Sequence, residues 1–459
     1  MERTMIGELS AFEGKVVEIA GWVDTIREHG KLTFLEIRDV TGTVQTIVTA
    51  KDEANFEMVK SLTKESCVRI KGNVNPRPKG TENKNSPAGK VEIKIQELEV
   101  YNKCSALPFD IDNDEVGEDI RLKYRYLDLR RPEMQKNLIL RSKIIRIIRD
   151  TLYEEGFNEF ETPMLAKSTP EGARDYVVPS RTQPGKFFAL PQSPQLFKQL
   201  LMVAGFEKYF QIARCMRDED LRSDRQPEFT QLDVEMSFVS QEDIFRVVEN
   251  VLKNVFKKVF NKTLKTPFKK ISHTESVKKY KSDKPDLRGE TNEEFAFAWI
   301  VDFPLLEYSK EEERYIACHH PFCMPKNIKD LEKNPGKTIA QSFDLVLNGV
   351  EILSGSIRIH KSDIQKKVFD LLKISDKEQE EKFGFLLDAL KFGAPPHGGI
   401  AIGLDRLIQI MTCAESIRET IAFPKNKEAK DLMVDAPSPL SDRQLKDIHI
   451  KLDVGKKKK

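Results

Sequence analysis

The sequence predicts an α+β protein: a small β-barrel followed by a larger domain with a mainly antiparallel sheet flanked by helices. Roughly the first hundred residues hold five short runs rich in β-branched residues, separated by turn-forming residues. A long amphipathic stretch follows at 132–155, and strand-like and helical stretches then alternate to about residue 435. With 459 residues, the chain is long enough to build two or three domains.

The predicted barrel covers residues 1–103. A helical stretch at 52–62 interrupts its strand-like runs, and five strands with one helix suit an OB-fold barrel. Another small barrel would show the same number of strands, so the strand count alone leaves both folds open. The five runs are 16–23, 32–37, 44–48, 67–71 and 91–95.

The rest of the chain divides into a connector, a large domain and a tail. Residues 104–136 form the predicted connector, acidic at first and basic towards its end. The long helix is predicted over 132–155 and ends at Gly156, which suits a helix C-cap. We assign the large domain to 137–440 and a C-terminal tail, ending in four lysines, to 441–459.

Composition excludes several classes of protein. Hydrophobic residues make up 39% of the chain and charged residues 32%, which is ordinary for a soluble protein. No apolar run approaches the ~18 residues of a membrane span, and the N-terminus lacks the order of a signal peptide. We therefore expect a cytoplasmic protein. The net charge of +2 does not by itself indicate a nucleic-acid partner.

The six cysteines are scattered without a C-x-x-C pair, which argues against a disulfide framework. One cluster, Cys318, His319, His320 and Cys323, contains only possible zinc ligands. Adjacent histidines and a proline give poor geometry for closing a tetrahedral site from one short segment, so the sequence does not favour zinc.

Three stretches of the large domain carry the chemistry. The first, 156–163 (GFNEFETP), follows the long helix and alone indicates only a helix-to-strand turn. The second, 214–235, predicts a strand, a polar loop and a strand, with arginine near the first corner. This arrangement suits a polyphosphate clamp, because guanidinium pairs with phosphate oxygens in two places. In the third, 398–406 (GGIAIGLDR), small residues allow close approach to a ligand, and Arg406 can reach an adenine ring or a terminal phosphate.

Together and in this order, the three stretches resemble the signature motifs of class II aminoacyl-tRNA synthetases. Longer strings are similar to bacterial-type aspartyl-tRNA synthetases, and the resemblance runs from the first strands to about residue 440. It implies an OB-fold anticodon-binding domain joined to a class II catalytic domain. The strings are LKYRYLDLRR (122–131), TPEGARD (169–175), LPQSPQLFK (190–198), HHPF (319–322) and FGFLLDAL (383–390).

The resemblance implies ATP and Mg²⁺ as cofactors. Arg217 would hold the α-phosphate of ATP, with Glu219 and Gln226 near the adenine and the motif loop, and Glu351 would help to hold Mg²⁺. The residues implied to act in catalysis are Arg217, Glu219 and Arg406. Those implied to bind ATP are Arg217, Asp218, Glu219, Gln226, Glu351, Gly403, Leu404, Asp405 and Arg406.

The resemblance also implies a site for L-aspartate. Lys198 and Arg358 would meet the side-chain carboxylate, and His319 would close over the bound amino acid. Asparagine would leave both cations without an anionic partner, a loss of about 3–5 kcal/mol. Glu171 and Gln195 would surround the ammonium group. The implied aspartate-binding residues are Glu171, Gln195, Lys198, Arg217, Asp233, His319 and Arg358.

The implied reaction depends more on alignment of the substrates than on a general base supplied by the protein. In the reaction that the resemblance implies, the α-carboxylate of aspartate would attack the α-phosphorus of ATP, and a ribose hydroxyl of the tRNA would then take the aspartyl group. Because a carboxylate is already a nucleophile, the first step requires positioning and charge neutralisation by Arg217, Arg406 and Mg²⁺. We assign no general base.

The sequence departs from the bacterial pattern in three places. Residues 282–288 pass almost directly into 297–304, so the inserted domain of bacterial members is essentially absent near 285–298. We expect activity to survive, because the active-site strings are present on both sides. Leu353 and Ser354 replace glycines, and Met216 replaces a phenylalanine.

The N-terminal domain is expected to bind the anticodon. By resemblance, Phe34 would stack on the central uracil and Gln45 would bond its edge, although Phe34 could instead be a core residue. His29 and Gly80 are similar to the non-discriminating subgroup, which charges tRNA(Asn) as well as tRNA(Asp); neutral loop variation is the alternative. The family further implies a homodimer, with the region around Pro163 at the interface.

Two kinds of alternative function remain at this stage. One is a related enzyme, asparaginyl- or lysyl-tRNA synthetase, against which Lys198, Arg358 and the string at 195–198 argue. The other is a catalytically inactive, RNA-binding paralogue, against which the intact Arg217 and Arg406 argue.

Overall fold

The computed structural model describes residues 2–169 and 172–453. They form two compact units, Met1–Val116 and Gly117–Lys459. Within the described ranges, no helix combines the length and the apolar character that a membrane crossing requires.

The first unit is a closed five-stranded barrel with strand order β1-β2-β3-β5-β4. Buried and partly exposed residues alternate along β1, which places Val17, Ile19 and Val23 in the barrel core. A helix separates β3 from β4, so the predicted OB-fold is confirmed. The elements are β1 (Val16–His29), β2 (Leu32–Asp39), β3 (Gly42–Thr49), α1 (Glu53–Lys60), β4 (Cys67–Pro76) and β5 (Val91–Asn102).

The second unit begins with three helices, α2 (Glu118–Lys123), α3 (Arg125–Asp128) and α4 (Pro132–Glu154). Helix α4 starts with proline in its first turn, where the missing N–H costs nothing. Gly156 follows it with a φ of +80°, a conformation that favours glycine. The long helix predicted from the sequence is therefore present.

The core of the second unit is an eight-stranded, mainly antiparallel sheet with order β11-β12-β15-β16-β17-β10-β9-β6. Only its outer pairs, β11–β12 and β6–β9, are parallel. The elements in chain order are β6 (Asn158–Glu159), β7 (Val177–Pro179), β8 (Phe187–Ala189), α5 (Gln195–Val203), β9 (Lys208–Met216), β10 (Glu228–Ser237), α6 (Gln241–Phe260), β11 (Lys269–Ser272), α7 (His273–Tyr280), α8 (Arg288–Thr291), β12 (Phe297–Val301), β13 (Leu306–Ser309), β14 (Arg314–Ala317), α9 (Ile328–Lys333), β15 (Ser342–Leu347), β16 (Val350–Ile357), α10 (Ser362–Leu371), α11 (Asp376–Leu390), β17 (His397–Gly403), α12 (Leu404–Thr412) and α13 (Asp442–Asp447).

The main core lies between this sheet and the helices α4, α6 and α12. Strand β10 contributes Leu232, Val234 and Met236 to it. Because side chains of a strand alternate between faces, the residues between them point to the opposite side of the sheet. The predicted α+β class with a mainly antiparallel sheet is confirmed.

Glu249 of α6 is a buried carboxylate that ties the helix to the sheet. It accepts hydrogen bonds from the backbone N–H of Phe268 at 3.0 Å and from Nε1 of Trp299 at 2.9 Å. Trp299 is fully buried and stacks on Phe245 of the same helix. The carboxylate therefore satisfies two donors that water cannot reach.

Replacing Glu249 by alanine should lower the free energy of unfolding of the second unit by about 2–4 kcal/mol, because two buried donors lose their acceptor. Glu249→Gln keeps an acceptor oxygen and is the matched control, with a clearly smaller loss. The chain has two tryptophans, Trp22 in the first unit and Trp299 in the second. Urea unfolding followed by fluorescence in a Trp22→Phe background therefore reports on the second unit alone. Equal losses in both variants would contradict the hydrogen-bond explanation.

Candidate active site

The sheet face opposite the main core carries polar side chains at alternate positions. On β10 these are Asp233 and Glu235, both buried. They pair in register with Ala401 and Gly399 of β17. Because these partners have little or no side chain, the two carboxylates can lie close to the backbone of β17.

Gly399 is required by its surroundings. A Cβ atom at this position would lie 2.0 Å from Oε2 of Glu235 and 2.1 Å from the carbonyl oxygen of Val234. No real side chain makes such contacts, so any larger residue must push Glu235 or the neighbouring strand away. Gly399 is therefore needed for the close packing of β17 against Glu235.

Two buried ion pairs cross this face. Lys198 of α5 donates from Nζ to Oδ1 of Asp233 at 2.9 Å and to the carbonyl oxygen of Ile400 at 3.0 Å. Arg358, directly after β16, donates from Nε and Nη2 to the two oxygens of Glu235 at 2.9 and 3.1 Å. The four charges balance, as a buried ionic network requires.

The two carboxylates differ in proton affinity. Burial raises the pKa of Asp233 above its usual value, although Lys198 opposes this. Burial also acts on Glu235, but Arg358 and Lys198 outweigh it and hold the pKa of Glu235 below its usual value. Glu235 is thus the permanent anion that anchors the arginine.

This pairing changes the basis on which asparagine would be rejected. The prediction that asparagine would leave Lys198 and Arg358 without an anionic partner is wrong, because Asp233 and Glu235 already neutralise them. Of the five N–H groups of Arg358, four point at neighbouring side chains. A ligand carboxylate must therefore use the fifth N–H, on Nη2, or share donors with the protein.

Several buried polar atoms have no hydrogen-bond partner among the described residues, and two of them belong to Asp233 and to Gln195, which precedes Lys198 by one turn on α5. They are the second carboxylate oxygen of Asp233, Oδ2, and the amide nitrogen of Gln195, Nε2. The first is an acceptor and the second a donor. Buried groups of this kind are normally satisfied, so they mark a place where a ligand with matching groups would bind.

The neighbouring histidines have opposite electrostatic environments. His320 is buried with Nε2 at 2.6 Å from Nη1 of Arg358. Guanidinium only donates, so His320 accepts and is neutral; burial and Arg358 keep its pKa well below the usual value. His319 lies 3.0 Å from Oδ1 of Asp344, and this carboxylate raises the pKa of His319 against the effect of burial. Within residues 2–169 and 172–453, no three His, Cys, Asp or Glu side chains form a group able to hold a metal ion.

The predicted phosphate-binding residues lie around the loop between β9 and β10. The guanidinium of Arg217 lies 5.0 Å from the ring of Phe229. Arg406 donates from Nη1 to the backbone oxygen of Glu351 at 2.8 Å and from Nη2 to Asp224 at 3.2 Å. The Nε atoms of both arginines are buried without a hydrogen-bond partner in the described part of the chain.

Two predicted nucleotide-binding residues contact protein groups. The side-chain amide of Gln226 forms a two-way hydrogen-bonded pair with the backbone of Lys425, at 2.8 and 3.0 Å. Glu219 accepts from Arg225 at 3.0 Å. Both pairs stabilise the conformation of the loop between β9 and β10. The loop would therefore be partly ordered before ATP binds.

In the third motif, 398–406, some side chains are buried in the protein interior and others can face a ligand. Asp405 is buried, accepts from the backbone N–H of Thr230 at 2.8 Å and pairs with Arg141. Leu404 is fully buried in the main core. Only the backbone around Gly403 and Leu404, together with the Arg406 side chain, can face a nucleotide.

Of the remaining predicted residues, Asp218 pairs with Arg174 through a backbone hydrogen bond of 3.0 Å and a side-chain distance of 3.5 Å. Glu171 lies outside the described residues. Sequence reasoning missed Glu235, His320 and Asp344 as members of the site. The alternation that identifies Asp233 also indicates Glu235, and Asp344 interrupts the mainly apolar strand β15, so both could have been found from the sequence.

The predicted anticodon residues lie on the barrel. Phe34 is half-buried, and its ring centroid is 5.8 Å from that of His29 in an edge-on arrangement. The amide of Gln45 donates to Glu92 and accepts from Arg77, each at 2.9 Å. A nucleotide base that forms hydrogen bonds with Gln45 would therefore share the Gln45 amide with Glu92 and Arg77. Gly80, the fourth predicted anticodon residue, is exposed in the loop after β4 and has a φ of +87°.

Comparison with known proteins identifies the class. Residues 117–427 match the family described as tRNA synthetases class II (D, K and N), and residues 17–101 match the OB-fold nucleic acid binding domain. The first match alone covers well over half of the chain. The chain therefore belongs to the class II tRNA synthetases, whose members use ATP as a substrate.

Full-length relatives narrow the family to those named Aspartate–tRNA(Asp/Asn) ligase. The chain is 42% identical to the one from Hydrogenobaculum sp. (strain Y04AAS1), with 96% of this chain and 98% of the relative covered. It is 41% identical to the one from Dictyoglomus turgidum, with both chains covered completely. The latter match extends over 589 positions against the 459 residues here, so about 130 positions face no residue of this chain.

Solved structures share the fold. The asparaginyl-tRNA synthetase from Pyrococcus horikoshii complexed with asparaginyl-adenylate aligns with a TM-score of 0.76 at 23% identity, covering 92% of this chain and 98% of that one. The aspartyl tRNA synthetase from Entamoeba histolytica aligns with a TM-score of 0.76 at 22% identity, covering 93% and 92%. At these identities the likeness shows the fold alone.

Gly399→Ala should destabilise the second unit by about 1–3 kcal/mol or more, because the added methyl overpacks a buried strand pair. Gly289→Ala is the control, since a Cβ there meets nothing within 4 Å. Urea unfolding measures both. A Gly399→Ala variant as stable as the wild type would show that Glu235 can move aside freely.

His320 should make stability depend on pH. Its pKa is depressed in the folded chain, so on acidification the unfolded chain takes up the proton first. The stability it provides is complete above the unfolded pKa of about 6.5 and falls below it, by up to about 1.4 kcal/mol per pH unit. His320→Gln can still accept from Arg358 and should flatten this slope between pH 7 and 5. An unchanged slope would contradict a buried neutral His320.

Proposed function

We propose that the chain joins L-aspartate to tRNA at this site, with ATP as the second substrate. The observation that carries the proposal is the pair of unsatisfied buried atoms, Oδ2 of Asp233 and Nε2 of Gln195, beside the cations Lys198 and Arg358. An ammonium group supplies the donor that Asp233 needs, and a carboxylate can accept from the remaining N–H on Nη2 of Arg358. An acidic amino acid carries both groups a short distance apart.

Activation then requires the α-carboxylate of aspartate to meet the α-phosphate of ATP. Arg217 is proposed to hold that phosphate, since its guanidinium is fixed against Phe229 at the end of the loop. Arg406 is proposed to bind the far end of the nucleotide. Both act by neutralising charge on a positioned substrate, which is the main need of this reaction.

Mg²⁺ is proposed to bind through Glu351, with Asp344 on the adjacent strand as a second carboxylate. The donor set fits this ion, which commonly takes one or two protein carboxylates and completes its shell with water and phosphate oxygens. Glu351 is partly exposed and lies next to Arg406, as a metal shared with a polyphosphate needs. When bound, the ion would neutralise phosphate charge.

The tRNA partners are proposed from the relatives' names together with the barrel. Those relatives are named for both tRNA(Asp) and tRNA(Asn). The two tRNAs share the first two anticodon bases, so an enzyme that charges both must tolerate two bases at the third. On the barrel, His29 packs against Phe34 while Gly80 presents no side chain. This arrangement supports tolerant reading.

Two structural proposals accompany this function. The chain forms a homodimer through the region around Pro163, which is supported by the exposed apolar side chains of Met164 and Leu165 that follow it. The positions that relatives have and this chain lacks belong between β11 and β12. Support for the second comes from the short connection there, 273–296.

Purified tRNA(Asp) and tRNA(Asn) should both be charged with labelled aspartate at comparable rates. His29→Leu and Gly80→Lys should each reduce charging of tRNA(Asn) relative to tRNA(Asp), by roughly fivefold to 100-fold for one base discriminated at about 1–3 kcal/mol. ATP–pyrophosphate exchange does not use tRNA, so it reports whether each variant has an intact catalytic unit. Charging of tRNA(Asp) alone by the wild type would overturn the relaxed specificity, and failure of aspartate-dependent exchange would favour an inactive paralogue.

A further inference from the structure

The segment between α7 and α8 brings a lysine into the phosphate end of the site. Lys284 lies in a turn whose shape is fixed locally: its backbone N–H donates to Oγ of Ser282 at 3.0 Å, and Ser276 donates to the backbone oxygen of Ser282 at 2.8 Å. Leu287, just beyond, is fully buried. Lys284 is therefore presented from an anchored turn.

Its ammonium group points at the carboxylate that is proposed to hold Mg²⁺. Nζ of Lys284 is 2.9 Å from Oε2 of Glu351. Asp283 and Asp344 are further carboxylates that act on this ammonium group. A positive charge thus lies among three carboxylates.

The same carboxylate residue is contacted from its other side by a predicted ATP ligand. Arg406 donates to the backbone oxygen of Glu351 at 2.8 Å. Lys284 and Arg406 therefore place two cations around one residue, one at its side chain and one at its backbone. Because both cations contact Glu351, we expect a polyphosphate bound at Arg406 to reach Lys284.

We propose that Lys284 is a further substrate-binding residue that contacts the β- and γ-phosphates of ATP. This inference rests on the proposed function. Activation forms a bond between the aspartate carboxylate and the α-phosphorus and breaks the bond from that phosphorus to the bridging oxygen. The electron pair leaves with pyrophosphate, and the ammonium of Lys284 neutralises the charge that accumulates there.

A purely structural role explains the geometry less well. The side chains of Lys284 and Glu351 are 41% and 28% exposed. Ion pairs this open to solvent contribute little to folding. The turn is also held by its own backbone contacts, so it does not need the lysine. Removing the ammonium should therefore leave the fold intact and affect ligand binding alone.

The test is calorimetric binding of three ligands in Mg²⁺ buffer: α,β-methylene-ATP, inorganic pyrophosphate and AMP. Lys284→Ala should weaken binding of the first two by about tenfold or more, as expected for loss of a charge-assisted contact, and leave AMP binding within about twofold. Lys284→Arg should recover most of the loss. Lys278→Ala, which removes an exposed charge of α7 from the same stretch of chain, should bind all three as the wild type does.

Each other result has a definite meaning. Unchanged binding of all three ligands by Lys284→Ala would leave a plain ion pair and overturn the inference. Equal weakening of AMP and pyrophosphate binding would overturn it too, because the site itself would have changed. Aspartate-dependent exchange by the wild type is measured on the same preparation: its absence would count against the proposed function, whereas its presence with an unaffected Lys284→Ala would refute this inference alone.

Discussion

The two buried ion pairs, Lys198 with Asp233 and Arg358 with Glu235, constrain the whole second unit. Removing four charges from water costs several kcal/mol for each ion. Good geometry and hydrogen bonding are needed to offset that cost. Here both carboxylates are fixed on a single strand, so their spacing is set by the backbone. The cations come from α5 and from the end of β16. The sheet and the helix must therefore be correctly placed before any of these charges is satisfied.

The same constraint explains the chemistry of the surrounding residues. Glycine at position 399 is the only residue that leaves Glu235 room to reach Arg358. His320 accepts a hydrogen bond from this guanidinium and must stay neutral to do so. The opposite face of the sheet is filled with apolar side chains that pack on α4 and α6. The balanced network leaves a few buried polar atoms without a hydrogen-bond partner, and these mark the place where we propose that the amino acid binds.

Sequence patterns predicted the fold well, because alternation along strands and the helix signals at 132–155 are local properties. They predicted Lys198 and Arg358 only through resemblance to a family. Glu235 and His320 were missed because their roles come from contacts with Arg358, which is distant from Glu235 in sequence. Asp405 illustrates the converse: a short motif cannot tell which carboxylates face a ligand, and this one is buried against Arg141 and Thr230.

The connection between β11 and β12 is where we propose that this chain is shorter than its relatives. These strands are parallel, so the chain between them must cross over, which takes a dozen or more residues and usually a helix. The 24 residues at 273–296 provide α7, the turn with Lys284 and α8. Nearly all of these residues are needed for the crossover, so a much shorter connection would detach the edge strand β11 from the sheet. If the roughly 130 missing positions lay in this connection, the chain has kept the part that closes the sheet, and that part also carries Lys284 to Glu351.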